Sequence, residues 1–198
     1  MSVYLRLVSV YFEILQPVRC RPLLFDFWRI VIRFSKIYAI NLSEALAWEQ
    51  CKLQNVLNVN SGRDYKGIGL GNIPVYGTGG YMLSIAQALS YDRDAIGIGR
   101  KGTINKPYVL KAPFWTVDTL FYAVPCNPNS LNFLYAFFQT VDWTKKDEST
   151  GVPSLSKDAI NETLLKIPVK EEQEEIGNFF QKLTGLITLH QREPNLVK

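Results

Sequence analysis

The chain has 198 residues, 47% of them hydrophobic and 20% charged, enough for one ordinary domain that buries roughly 70% of its unfolded surface without covalent staples. Cys20, Cys51 and Cys126 are odd in number, widely spaced and without a C-x-x-C pair, which excludes a disulfide framework and a zinc site. The formal charge of +4 is mild but uneven: residues 1–43 carry six basic and two acidic side chains, 44–170 thirteen and eleven, and 171–198 three and five.

Residues 1–43 are rich in Phe, Tyr, Ile, Val and Leu, and Pro17 and Pro22 break any long helix. Arg6, Glu13, Arg19, Arg21, Asp26, Arg29 and Arg33 interrupt the apolar runs well short of the roughly eighteen residues of a membrane span. The first twenty residues lack the apolar centre and small-residue cleavage site of a secretory signal. A cytoplasmic location without membrane contact is expected, and the segment has no assigned role.

Around "WEQCKLQNVLNV", Leu53, Val56 and Leu57 at helical spacing predict a short amphipathic turn, followed by an exposed loop in "NSGRDYKGIGLGN". From Ile73 the runs "IPVY", "AIGIG", "PYVLKA" and "FWTVDTLFYAV" predict strands. Two helices follow. "LNFLYAFFQTVDW" places Leu131, Leu134, Phe138 and Val141 on one face, and "SKDAINETLL" has Ser156 as N-cap with Ile160 and Leu164 inward. The tail predicts a helix whose acidic first turn suits the positive end of the helix dipole. Ile176, Phe179 or Phe180, Leu183, and Leu186 or Ile187 form a seam that continues to His190. That seam fits either a partner helix or a terminal helix folded back on its own domain. An α+β fold is expected: one mixed α/β domain over 44–170 with a C-terminal helix over 171–198.

"DAIGIGRKGTINKPYV" matches the dinucleotide spacing G-x-G-x-x-G at Gly97, Gly99 and Gly102. The third glycine leads into "TINKPYV", where Pro107 and β-branched residues predict a turn into another strand, with no helix N-terminus for a pyrophosphate. His190 is the only histidine, no Walker motif occurs, and there is no Pro-Pro for the Asn/Asp-Pro-Pro-aromatic motif of an adenine methyltransferase. No catalytic apparatus and no metal site is legible.

What remains is a set of glycine-rich loops interleaved with donors, which let backbone amides, hydroxyls and cations meet phosphate oxygens. Ordinary tight turns with solvated charges share this composition. The candidate DNA-binding residues are Arg63, Tyr65 and Lys66 in the first loop, Tyr76, Thr78, Gly79, Gly80 and Tyr81 in the next, and Arg93 beyond it. Gly99, Arg100, Lys101, Gly102, Thr103, Asn105 and Lys106 follow, then Thr150, Ser154, Ser156 and Lys157. Residues 93–111 concentrate Arg93, Arg100, Lys101, Lys106 and Lys111 against one acid, Asp94, as a local basic stripe. Arg100 and Lys101 suit phosphate or a guanine edge, and Thr103 and Asn105 suit base reading.

"WEQCKL" at 48–53, "IPVYGTGGYM" at 73–82, "YDRDAIGIGRKGTINKPYVLKAPFWTVDTLFYAVP" at 91–125, "STGVPSLSKDAINETLLKIPV" at 149–169 and "EEQEEIGNFF" at 171–180 together resemble one family. In this order, over about 44–193, the chain is similar to the target-recognition half of a type I restriction-modification specificity (S) subunit. The resemblance implies a non-catalytic DNA-reading domain followed by a conserved-region helix, coiled-coil in type. In the family the unit normally occurs twice, and each domain reads one half of a bipartite double-stranded DNA site.

It also implies partners. Methyltransferase subunits would carry S-adenosylmethionine, with no cofactor in this chain, and a translocating restriction subunit would complete the complex. The chain departs from the pattern in holding one recognition unit, so two copies would associate through the tail helix, or a second half subunit would complete it. A truncated or silent cassette fragment, or an adapter that binds only the methyltransferase, are the alternatives.

Overall fold

The computed structural model describes residues 48–192, with side chains through residue 186. Segment 1–43 with Cys20, the His190 and Ile187 side chains and the chain beyond Arg192 therefore lie outside the described residues or side chains. Three sheets are described. Strands β1 (Glu49–Lys52) and β9 (Leu164–Ile167) pair antiparallel, bringing the two ends of the mixed α/β domain together. Strands β2 (Leu57–Ser61), β5 (Ala95–Gly99), β6 (Tyr108–Leu110) and β8 (Leu120–Pro125) form an antiparallel sheet in the order β2-β8-β5-β6. Strands β3 (Leu70–Gly77) and β4 (Gly80–Ile85) form a hairpin, and β7 (Trp115–Thr116) runs parallel to β3.

Side-chain alternation makes the four-stranded sheet the middle layer. Ile96, Ile98, Phe121 and Ala123 join Phe133, Phe138, Trp143, Ile160 and Phe180 in the main core against the helices. The residues between them, Ala95, Leu120 and Val124, face the other way and pack with Leu110 and Phe114. The three-stranded sheet has its own small core of Val75, Ile85, Trp115 and Val117. "AIGIG" is buried throughout because both faces of β5 are covered.

Helix α1 (Leu131–Thr140) is capped by Ser130, whose Oγ accepts the Phe133 N–H, and it buries Phe133, Leu134, Ala136, Phe137 and Phe138. The expected face is therefore right at Leu134 and Phe138 and wider elsewhere. Helix α2 (Lys157–Asn161) is capped by Ser156 and buries Ile160, as its sequence predicts. Leu164 is not inward: the chain has passed into β9, where strand alternation leaves it 55% exposed and buries Leu165. At "WEQCKLQNVLNV", strand replaces most of the expected turn, leaving one 3-10 turn over Leu53–Asn55 between β1 and β2. Leu53, Val56 and Leu57 are all buried there.

Helix α3 (Lys170–Arg192) lies against α1. The crossing is close because position 177 has no side chain: a Cβ there would stand 2.7 Å from the Phe133 backbone nitrogen. Gln173 locks the start of the helix, its Oε1 accepting the Ser130 N–H at 3.0 Å and its Nε2 donating to the Pro168 carbonyl at 3.0 Å. Among the described residues no helix is long and apolar enough to cross a membrane.

Candidate nucleic-acid interface

Strand register decides which candidates meet. Gly99 pairs with Leu120, Ser61 with Phe121 and Gly97 with Tyr108. The C-terminal ends of β2 and β5 and the starts of β6 and β8 thus lie at one end of the four-stranded sheet. Arg63, Tyr65 and Lys66 follow β2 there, Arg100 and Lys101 follow β5, and Lys106 precedes β6. The β3–β4 hairpin joins the same end: the Tyr108 hydroxyl donates to the Gly77 carbonyl at 2.7 Å, and the Val117 N–H donates to Tyr76 at 3.0 Å. Burial, with Tyr76 beside it, pushes the Tyr108 hydroxyl well above its ordinary range, so it stays a neutral donor.

The basic stripe over 93–111 is divided in space. Arg93 and Lys111 lie at the opposite end of β5 and β6, about 17 Å of strand away from Arg100. The Arg93 guanidinium donates to the Pro125 carbonyl. The Lys111 ammonium sits 2.6 Å from Asp94. Burial opposes the Asp94 charge, but Lys111 and the Ala112 N–H outweigh it and hold the carboxyl below its ordinary value. A hairpin reverses direction, so charges adjacent in sequence were separated by its length.

The β5–β6 connection is a strand-turn-strand, as expected, and its glycines serve the fold. A Cβ on Gly99 would stand 2.1 Å from the Thr103 carbonyl oxygen, and Gly102 has φ +87°, in the left-handed region. Main-chain bonds fix the loop. The Arg100 N–H donates to Thr119 at 2.8 Å, the Gly102 N–H to Pro153 at 2.8 Å, and the Leu155 N–H to Arg100 at 2.9 Å. Lys101, Thr103 and Lys106 are exposed along it. The Arg100 guanidinium lies 5.8 Å from the Phe121 ring centroid. Asn105 also has an internal task, since its Oδ1 accepts the Trp143 N–H at 2.9 Å. Bidentate pairing with adenine would need that same oxygen.

Loop 147–156 packs beside this turn through a Lys101–Ser154 bridge. Asp147 Oδ1 accepts from the Ser154 N–H at 2.9 Å, the Ser149 hydroxyl at 2.7 Å and the Ser149 N–H at 2.9 Å. These donors, Ser154 first, hold its carboxyl below the ordinary value. Thr150 is exposed at the loop tip. The Ser156 hydroxyl is engaged twice, accepting from the Ala159 N–H and donating to Glu148 Oε1, both at 3.0 Å.

Between the two loops lies a cleft of about 370 Å³ lined by Ser61, Arg100, Lys101, Phe121, Glu148, Ser154, Leu155, Ser156 and Lys157. Three cations face one carboxylate there, so the cleft suits an anion. Sequence reasoning missed Ser61, Phe121 and Glu148, which only register and loop packing bring in. A second groove, of about 670 Å³, lies at the other end of the sheet and is lined by Asn58, Asn60, Tyr91, Arg93, Tyr122 and Asn161. In the hairpin, Thr78, Gly79 and Gly80 form the tip, and Tyr81 is 62% exposed with its hydroxyl 3.2 Å from Ser84 Oγ.

The tail seam divides. Ile176 and Phe180 are buried in the main core of their own domain, and Phe179 and Leu183 are partly buried against it. Leu186 is 50% exposed, and the backbone at Ile187 continues the helix. The folded-back reading therefore holds for the inner face of the helix as far as Leu183, where Gly177 lets α1 approach.

The sequence model of the family described as Type I restriction modification DNA specificity domain matches residues 46–198. Comparison with curated proteins found no match. The S subunit of a type I restriction-modification system from M. genitalium superposes with a TM-score of 0.67 at 18% identity, covering 95% of this chain and 52% of that one. A structure described for the complex assembly and conformational transition of the type I system gives 0.58 at 15%, covering 94% and 52%. The HsdS subunit from Thermoanaerobacter tengcongensis gives 0.55 at 15%, covering 94% and 51%. The chain thus spans about half the length of these solved proteins, and at such identities the likeness concerns the fold.

Proposed function

Because this chain belongs to the type I restriction modification DNA specificity domain family, we propose that the cationic end of its four-stranded sheet lies on double-stranded DNA and reads one half of a bipartite site. The observation that carries this is the gathering of Arg63, Lys66, Arg100, Lys101, Lys106 and Lys157 at one end through strand register and loop packing. The cleft between the 100–107 and 147–156 loops takes a backbone phosphate. Lys101, Thr103 and Lys106 stand on a turn whose shape is fixed by main-chain bonds, and they face the groove. Asn105 and Ser156 support those loops from within.

In this reading the chain is a recognition and assembly component and not the catalyst. The methyl donor, S-adenosylmethionine, would be bound by methyltransferase subunits, and a restriction and translocation subunit would join them. A second recognition unit, a further copy or another half subunit, would read the other half-site. Helix α3 offers these contacts with the face its own domain leaves uncovered, which includes Leu186.

Methylation profiling of a restriction-free host expressing the methyltransferase with and without this chain tests the reading. A bipartite N6-methyladenine motif that requires the chain, and that disappears when Arg100, Lys101 and Lys157 are replaced together by Ala, is the expected result. No chain-dependent motif with both proteins soluble and associated would leave an adapter that binds the methyltransferase without reading DNA.

A further inference from the structure

The β3–β4 hairpin carries a feature that cation-based phosphate contact does not use. Register shifts between Val75 and Tyr76: Val75 faces Leu83 while Tyr76 faces Tyr81, so Met82 is the extra residue of a β-bulge. A bulge re-aims side chains that would otherwise alternate. Tyr81 and Met82 are accordingly exposed in succession, at 62% and 49%. Neither hangs loose. The Met82 sulfur rests over Gly77, where a Cβ would stand 2.9 Å from it, and Tyr81 packs edge-on against Tyr76 with ring centroids 6.3 Å apart. Tyr76 in turn leans on Tyr108 at 6.1 Å, whose hydroxyl holds Gly77.

The outcome is a braced apolar edge beside a glycine tip, at the cationic end of the molecule. Lys106 lies two residues before Tyr108, and the Arg63 N–H donates to Thr116, next to the Val117 that holds Tyr76. Apolar side chains presented between phosphate-binding cations are what proteins insert at a base step to unstack and kink a duplex. We propose that Met82 and Tyr81 form such a wedge, entering a base step of the half-site. This rests on the DNA-reading function above. The cations carried by the adjoining segments fit a polyanion and disfavour an apolar protein partner, which makes the base step the chosen occupant.

The test uses the full chain with its methyltransferase and a duplex containing the motif found by methylation profiling, labelled at its ends for energy transfer and carrying 2-aminopurine in the half-site. Wild type should shorten the end-to-end distance and raise 2-aminopurine fluorescence. The double variant Tyr81→Ala, Met82→Ala should lose both signals and about tenfold in specific affinity, on the scale of one lost stacking contact. Its binding to unrelated duplex should keep the same salt dependence, and Met82→Leu with Tyr81 present should restore the distortion. A double variant that distorts and binds the motif like wild type overturns the wedge while leaving DNA reading intact. Loss of methyltransferase association in that variant, with the isolated chain still distorting the duplex, overturns it in favour of a protein contact. Absence of any salt-dependent duplex binding by wild type overturns both.

Discussion

Residues of one loop divide between holding it and using it. Asn105 accepts the Trp143 N–H, so Asn105→Ala should lower stability by about 1 kcal/mol, read as a lower urea midpoint at unchanged slope. Lys101 is exposed, so Lys101→Ala should leave that midpoint alone and reduce the salt slope of DNA binding by about one, with the methylated motif unchanged. Asp147 makes the pH prediction. Its folded pKa lies below the ordinary 3.8, so its contribution is complete above that value and is lost as pH falls through the lowered one. Amide exchange at Ser149 and Ser154 should therefore stay protected at pH 5 and open only below about pH 4; opening near neutrality would contradict the assignment. Sequence made Lys101 visible by its charge. The internal task of Asn105 and the Ser156 bond to Glu148 were not visible, because the partners, Trp143 and Glu148, come from segments that only folding places nearby.

Elements were more legible than residues where one period ruled. The run "AIGIG" became β5 over its full length, and Ser156 capped its helix. The expectation failed at Leu164, where a helical period was continued across a short connection into a strand, and at the β4 strand, whose glycines and polar neighbours hid it. Helix α3 shows the same limit. Gly177 and Gly185 look alike in sequence, yet a Cβ at 177 meets α1 backbone at 2.7 Å and one at 185 meets nothing within 4 Å. Gly177→Ala should lower the melting temperature, whereas Gly185→Ala should raise stability by about 1 kcal/mol through helix propensity. The seam predicts a similar contrast. Phe180→Glu buries a charge in the main core and should unfold the domain. Leu186→Glu should preserve the melting temperature and weaken association with partner subunits, measured by co-purification.

At the scale of the whole molecule, the sheet separates two populations of cations. Arg93 and Lys111 are held by Pro125 and Asp94 at one end, and Arg63, Lys66, Arg100, Lys101, Lys106 and Lys157 gather at the other. If Arg63, Lys66, Arg100, Lys101, Lys106 and Lys157 are all used, the slope of log K against log salt should approach about −5 and not exceed it. Arg93→Ala should leave that slope unchanged, and a fall of one unit would place DNA at the wrong end. Sequence could supply the net charge but not this polarity, which follows from hairpin register. The β5–β6 turn has one more consequence. Its path is held by bonds from Arg100, Gly102 and Leu155 main-chain groups, so the exposed side chains of Lys101, Thr103 and Lys106 carry no architectural duty. Lys101, Thr103 and Lys106 can mutate without dismantling their own platform. On the proposed reading, a change at Thr103 alters which bases the turn contacts while the fold that presents it stays intact.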